Sequence, residues 1–114
     1  CHRLTVEGIQ VLQCGDPSGT GRGSPGYEFD DENLEGAVYT EGVLAMANSG
    51  PNTNGSQFFM VYADSGFNPA YTPFGRITKG LDILAKVAEG GVTGPSQDQP
   101  KTKVVIEDVE IVRA

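Results

Sequence analysis

The 114-residue sequence contains no tryptophan, one histidine, two cysteines and only eight basic residues. With a net charge of -7 and no cluster of Lys and Arg, the chain lacks the electrostatic footprint of a nucleic-acid binder. The two cysteines form no CxxC pair, and one histidine provides no His-rich ligand set. We therefore expect no nucleic-acid partner, no metal and no other cofactor.

No apolar run approaches the length of a membrane span, and the sequence does not open on a signal peptide. The apolar fraction is 38% and the charged fraction 20%, both typical of an ordered globular chain. This length and composition predict a single domain over residues 1–114.

The usual signatures of covalent or nucleotide chemistry are missing as well. There is no GxSxG motif, and His2 has no visible Ser or Cys partner for nucleophilic catalysis. Residues 21–26 match GxGxxG, but Pro25 and Gly26 lead into an acidic turn instead of a helix. Because a dinucleotide site needs that helix, we treat the match as coincidental.

Short β-like segments alternate with glycine-rich loops along the whole chain. The predicted strands are 1–6, 9–14, 43–46, 57–62, 74–77 and 103–112, and the predicted loops are 15–26, 28–36, 64–73 and 92–100. Residues 80–89 carry Leu81, Leu84 and Val87 on one stripe and predict a helix that ends at Gly90. This pattern favours a closed or nearly closed antiparallel β-barrel.

The two cysteines, Cys1 and Cys14, allow two interpretations. They are either small apolar strand residues or the partners of a cross-strand disulfide. If Glu7-Gly8 were a two-residue turn, positions summing to 15 would pair and Cys1 would face Cys14. A longer turn would shift this register and could move them to opposite faces.

Residues 44–62, LAMANSGPNTNGSQFFMVY, concentrate neutral hydrogen-bonding side chains between two apolar segments. Amide side chains both donate and accept, so this set suits recognition of a peptide backbone. Composition alone favours a different interpretation, in which the amides are turn residues and the aromatic side chains belong to the core. We assign Asn52 and Asn54 to this second interpretation, as turn residues that join two strands.

Several segments taken together resemble the cyclophilin family of peptidyl-prolyl cis–trans isomerases. They are His2-Arg3-Leu4, Leu12-Gln13-Cys14-Gly15-Asp16, Gly19-Thr20-Gly21, the stretch 46–59 (MANSGPNTNGSQFF) and Phe74-Gly75-Arg76-Ile77. The resemblance covers essentially the whole chain. It implies a mostly β, antiparallel barrel with a capping helix, and non-covalent rotation about X–Pro bonds that assists protein folding. It also implies that two strands and the first helix of the domain are missing on the N-terminal side.

The resemblance assigns roles position by position. Arg3 matches the catalytic arginine of the family. Positions matching substrate-binding residues are Val11, Gln13, Ala47, Asn48, Ser49, Gln57, Phe59, Phe67 and Tyr71. The implied partners are proline-containing polypeptides, and we expect a monomer that needs no cofactor.

Departures from the family pattern lie around the predicted pocket. The chain between Arg3 and Gln13 is longer than usual, so the apolar residues expected there could be Ile9 and Val11 or their neighbours. Phe67 stands where many members have tryptophan, and Tyr71 where many have histidine. Because phenylalanine lacks an indole N–H, we expect weakened affinity for cyclosporin-type inhibitors. The segments CHRL and VLQCGDP are similar to the sequences of a bacterial branch of the family that carries an N-terminal membrane anchor. This similarity slightly favours the cell envelope as the location.

Overall fold

A computed structural model describes residues 1–112 of the chain. Five short strands form one antiparallel sheet in the spatial order β1-β2-β4-β3-β5. They are β1 (Arg3–Leu4), β2 (Val11–Cys14), β3 (Val43–Met46), β4 (Phe58–Val61) and β5 (Pro73–Arg76). The mostly β, antiparallel class predicted from the sequence is thus confirmed, and β3 has the predicted bounds.

The strand register places the main site candidates in one row across the sheet. Arg3 pairs with Gln13, Gln13 with Phe59, and Phe59 with Ala45. Directly opposed residues of antiparallel strands project to the same face. The row therefore puts a guanidinium, an amide and an aromatic ring side by side on one face of the sheet.

Each face of the sheet packs its own apolar cluster, as the two-residue period of a strand requires. The first face buries Val11, Val43, Ala45, Phe59 and Val61 together with Tyr39 from a loop. The second face buries Leu4, Leu12 and Cys14 against Leu84 and Val87. The site row belongs to the first face.

The second face is covered by the one helix that the structure describes, α1 (Leu81–Glu89). It begins one residue later than predicted, after Gly80, and its last residue is Glu89 as predicted, with Gly90 as the C-cap. Asp82 in its first turn and Lys86 in its last turn complement the helix dipole. This helix lacks the length and the apolarity that a bilayer span requires.

Two further strands lie within residues 92–100, which the sequence predicted to be a loop. Val92–Thr93 (β6) and Gln99–Pro100 (β7) pair as a small antiparallel hairpin. The backbone N–H of Leu4 donates to the carbonyl of Asp98 at 2.8 Å, which holds this hairpin against β1. The hairpin thereby brings Asp98 beside Arg3.

The prediction of a final strand at Lys103–Val112 is wrong. These residues form no strand, and valine and isoleucine side chains along them are exposed, Val109 to 74%. A strand needs a backbone partner, and here the Cys1 amino group donates to the Val104 carbonyl at 2.9 Å without starting a ladder. Within residues 1–112 no strand links β1 to β5, so the predicted closure of the barrel is not found in the described sheet.

The first hairpin has the longer of the two turns that the sequence left open, which shifts the register by one residue. Arg3 pairs with Gln13 and Leu4 with Leu12, so paired positions sum to 16 and not to 15. The turn is longer than Glu7-Gly8 because Thr5 still hydrogen-bonds to Val11 across the strands. Cys1 and Cys14 are nevertheless joined by a disulfide, which decides between the two interpretations of the cysteines.

Candidate active site

An apolar pocket of about 220 Å³ opens on the first face, beside the row of Arg3, Gln13 and Phe59. Its wall residues are Arg3, Ile9, Val11, Gln13, Ala47, Asn48, Phe59, Phe67 and Tyr71. The volume is below the about 300–1,000 Å³ of pockets that enclose drug-sized ligands. This apolar pocket therefore suits one small side chain, and Arg3, Gln13 and Asn48 contribute polar groups to its wall.

The rings of Phe59, Phe67 and Tyr71 line the apolar pocket, and the ring of Tyr39 packs against them from outside it. Phe59 lies 5.2 Å from Phe67 and 5.5 Å from Tyr71 between ring centroids. Tyr39 lies behind them, 5.1 Å from Phe67 in an edge-on arrangement. Tilted and edge-on pairs at these separations are favourable, so the cluster fixes the pocket's shape.

Sequence reasoning missed the role of Tyr39, which is 2% exposed and lies outside every motif. Its hydroxyl donates to the carbonyl of Tyr71 at 2.6 Å and accepts the N–H of the same residue at 3.1 Å. Burial raises the pKa of Tyr39, so the hydroxyl stays protonated and remains a donor at neutral pH. One buried hydroxyl thus satisfies both backbone groups of a pocket-wall residue.

We expect Tyr39→Phe to lower the free energy of unfolding by about 1–3 kcal/mol, because it leaves the backbone groups of Tyr71 without their partner. It should also weaken binding of a proline-containing peptide, since Tyr71 would no longer be fixed. Urea unfolding and peptide titration measure the two effects. Tyr62→Phe is the matched control: it removes a hydroxyl bonded at 2.6 Å to the Thr5 carbonyl, away from the pocket. Equal peptide affinities in both variants would contradict the assigned role.

The polar edge of the pocket is a chain of hydrogen bonds that ends at Arg3. The carbonyl of Gly21 accepts from Nε2 of Gln57 at 3.0 Å, and Oε1 of Gln57 accepts from Nε2 of Gln13 at 2.9 Å. Oε1 of Gln13 then accepts from the Arg3 guanidinium at 3.4 Å. Each amide has one donor and one acceptor engaged, so the direction of the chain fixes both amides.

Arg3 has a second anchor in Asp98, whose carboxylate lies 3.9 Å from its Nε. Both side chains are 41% exposed, so this ion pair adds little to stability. A guanidinium carries five N–H donors, and these two contacts leave donors for a ligand. The arginine is therefore held from two sides while it still faces the pocket.

A polar groove of about 430 Å³ adjoins the apolar pocket and includes Ser49 and Gln57. Asn48 borders both spaces, and its side chain is engaged with Ala70 and Gly50. Among the described residues, the backbone N–H and C=O of Asn48 have no hydrogen-bond partner. These free groups can pair with an extended peptide that lies across the groove.

The structure thus gathers all the predicted site residues in one region. Eight of the ten line the apolar pocket, and Ser49 and Gln57 line the polar groove. Ile9 and Val11 both reach the pocket wall, as the sequence allowed. Their individual roles stay predictions. Within residues 1–112, no group of three or more His, Cys, Asp or Glu is placed to hold a metal ion.

An antiparallel sheet carries an aromatic pocket edged by one guanidinium, an arrangement that could accept an apolar side chain and donate hydrogen bonds beside it. The family model described as cyclophilin type peptidyl-prolyl cis-trans isomerase/CLD matches residues 1–111. The chain belongs to this cyclophilin family, which confirms the resemblance seen in the sequence.

Known relatives agree with this assignment. The chain is 50% identical to a probable peptidyl-prolyl cis-trans isomerase B of Mycobacterium tuberculosis over 96% of its length, and it spans 40% of that protein. It is 44% identical to a peptidyl-prolyl cis-trans isomerase-like 1 of Neurospora crassa, over 98% of this chain and 69% of the relative. A cyclophilin-type isomerase of Cryptosporidium parvum, solved in the presence of the dipeptide Ala-Pro, superposes with a TM-score of 0.78. That structure is 31% identical, and the match covers 99% of this chain and 74% of the solved one.

Proposed function

We propose that this chain catalyses cis–trans isomerisation of X–Pro peptide bonds in proline-containing polypeptides. The observation that carries the proposal is the Arg3 guanidinium at the edge of an aromatic pocket sized for one small ring. The strand register and the amide chain hold the guanidinium in this place.

The reaction needs no nucleophile or general base, because no covalent bond is made or broken. Resonance gives the amide bond a rotation barrier of about 18–20 kcal/mol, and uncatalysed X–Pro exchange takes about tens to hundreds of seconds. A catalyst must favour the twisted amide over the planar one. Twisting breaks the resonance and leaves a lone pair on the proline nitrogen.

The residues of the site can meet this requirement in distinct ways. The ring of the substrate proline would enter the apolar pocket and rest on Phe59. Arg3 would donate to the proline nitrogen or to the proline carbonyl, and the partly enclosed site strengthens that donation. The backbone groups of Asn48 would hold the flanking peptide, so the preceding carbonyl turns while the ring stays fixed.

The direct test is NMR exchange spectroscopy on a short X–Pro peptide at equilibrium with catalytic amounts of this chain. The proposal predicts cis–trans exchange that accelerates in proportion to chain concentration. The alternative is a proline-peptide binding module, which would shift peptide resonances without accelerating the exchange. That second result would overturn the proposal. A peptide with alanine in place of proline serves as the matched control for binding through the pocket.

Cyclosporin-type inhibitors should bind this chain weakly, because Phe67 presents no indole N–H to them. Phe67 is partly buried against the aromatic cluster and lines the apolar pocket. Phe67→Trp should therefore tighten cyclosporin binding by about 3- to 10-fold, the value of one ordinary hydrogen bond. Competition titration compares the two proteins. Equal affinities would show that this position does not limit inhibitor binding.

A further inference from the structure

The glycine-rich loop after β2 is organised by one carboxylate, that of Asp16. Its oxygens accept the backbone N–H groups of Ser18 at 2.9 Å, Thr20 at 3.1 Å and Gly23 at 3.0 Å, and also that of Gly21. The Ser18 hydroxyl donates to both carboxylate oxygens. A segment without helix or strand is thus folded around a single side chain.

This carboxylate remains charged across the physiological pH range. Desolvation raises the pKa of Asp16, but the hydrogen bonds from Gly23, Ser18 and Gly21 outweigh it and hold the pKa well below its usual range. Charged acceptors form hydrogen bonds roughly twice as strong as neutral ones. The hydrogen bonds to Asp16 therefore stabilise the loop conformation although most of the loop residues are exposed.

The loop is connected to the active site through Gly21. Its N–H is held by Asp16, and its carbonyl accepts from Gln57 at the start of the amide chain. No other described residue supplies an acceptor to Nε2 of Gln57, so the position of this carbonyl sets the amide's orientation. Gln57 in turn orients Gln13, and Gln13 contacts Arg3.

The loop leaves no room for a side chain at Gly21 or Gly23. Gly21 has a φ of +87°, and a Cβ there would lie 2.8 Å from Cδ2 of His2. A Cβ on Gly23 would overlap the carboxylate of Asp16 itself. The loop thus fits against the residue that precedes Arg3 on one side and around Asp16 on the other.

We propose that Asp16 is a positioning residue for isomerisation, acting on Arg3 through Gly21, Gln57 and Gln13. This rests on the proposed function of the site. Asp16 does not line the apolar pocket or the polar groove, so it acts through these residues and not on the substrate. Its loss should misdirect the guanidinium and leave the aromatic floor in place.

The test is a double-mutant cycle between Asp16→Asn and Gln57→Ala, read out as kcat/KM on an X–Pro peptide. Asparagine turns an amide group toward N–H donors that need an acceptor, so Asp16→Asn should lower kcat by about 10- to 100-fold with little change in KM. In the Gln57→Ala background the connection is already cut, so Asp16→Asn should cause no further loss. A purely structural role would give the same factor in both backgrounds, and that result would overturn the proposal. Asp82→Asn, on helix α1, controls for the lost charge.

A second readout does not depend on turnover. Asp16→Asn should shift the NMR resonance of the Arg3 Nε–H relative to the unaltered chain. The double variant should show the same resonance as Gln57→Ala alone. If the chain proves inactive, this shift still decides whether Asp16 controls the arginine, and an unshifted resonance overturns the proposal. Should Asp16→Asn fail to fold, Gly23→Ala replaces it in both measurements, because it keeps the charge and displaces the carboxylate.

Discussion

Arg3→Ala is expected to lower kcat/KM for X–Pro isomerisation by about 10²–10³-fold, the usual cost of losing one preorganised donor. Peptide affinity should fall much less, because the aromatic floor at Phe59 and the free backbone groups of Asn48 remain. Exchange spectroscopy gives the rate, and titration with the same peptide gives the affinity. A loss confined to kcat would place the arginine's contribution in the twisted state.

Two further variants separate donor geometry from charge. Arg76→Ala removes an equal charge from an exposed arginine on β5 that donates to the Glu41 carbonyl at 3.1 Å, and it should leave the rate unchanged. Arg3→Lys keeps the charge at the site but loses the planar fork, so it should recover little of the activity. Full turnover in Arg3→Ala would show that another group is the key donor.

The sequence predicted the elements whose information is local. Residues 43–46 are found as a strand with the predicted bounds, because a short continuous apolar run is typical of a strand inside a sheet. The stripe of Leu84 and Val87 located the helix through its own local period. The pocket residues were located through family motifs, because Val11, Phe59 and Tyr71 are far apart in the chain.

Features that depend on tertiary contacts were missed, left open or predicted wrongly. The strand expected at residues 103–112 has the right composition, but a strand also needs a paired backbone, which no local pattern reports. The sequence left the hairpin register open, because the register depends on where the turn closes, and the Thr5–Val11 hydrogen bonds belong to the longer turn. Tyr39 was missed because its hydroxyl acts on Tyr71, 32 positions along the chain.

The Asp16 loop is an intermediate case. An aspartate followed by Ser, Gly and Thr favours side-chain-to-backbone hydrogen bonds, so a local turn could be expected from GDPSGTG. The connection from Gly21 to Gln57 could not, because it spans 36 positions and joins a loop to a strand end. The part of the site that sequence reasoning reaches is the contact surface, and the part it misses is what orients that surface.

Reduction of the Cys1–Cys14 disulfide is expected to lower the free energy of unfolding by about 3 kcal/mol. The bond closes a loop with a sequence separation of 13, and loops near this length constrain the unfolded chain by about that amount. Urea unfolding with and without a thiol reductant measures the difference. A Cys1→Ala/Cys14→Ala double variant should resemble the reduced chain and show no response to reductant.

Reduction of the disulfide should also lower the activity of the site, because β1, which carries Arg3, has only two residues and lies at the edge of the sheet. The disulfide fixes the chain two positions before Arg3, and the His2 N–H bond to the Gln13 carbonyl at 3.1 Å lies between them. Without the covalent link, fraying of β1 would move the guanidinium away from Gln13, so kcat/KM should fall at temperatures where the reduced chain is still folded. If reduction changes neither the unfolding midpoint nor the rate, the hairpin holds Arg3 through its hydrogen bonds alone, and the disulfide has no part in the geometry of the site.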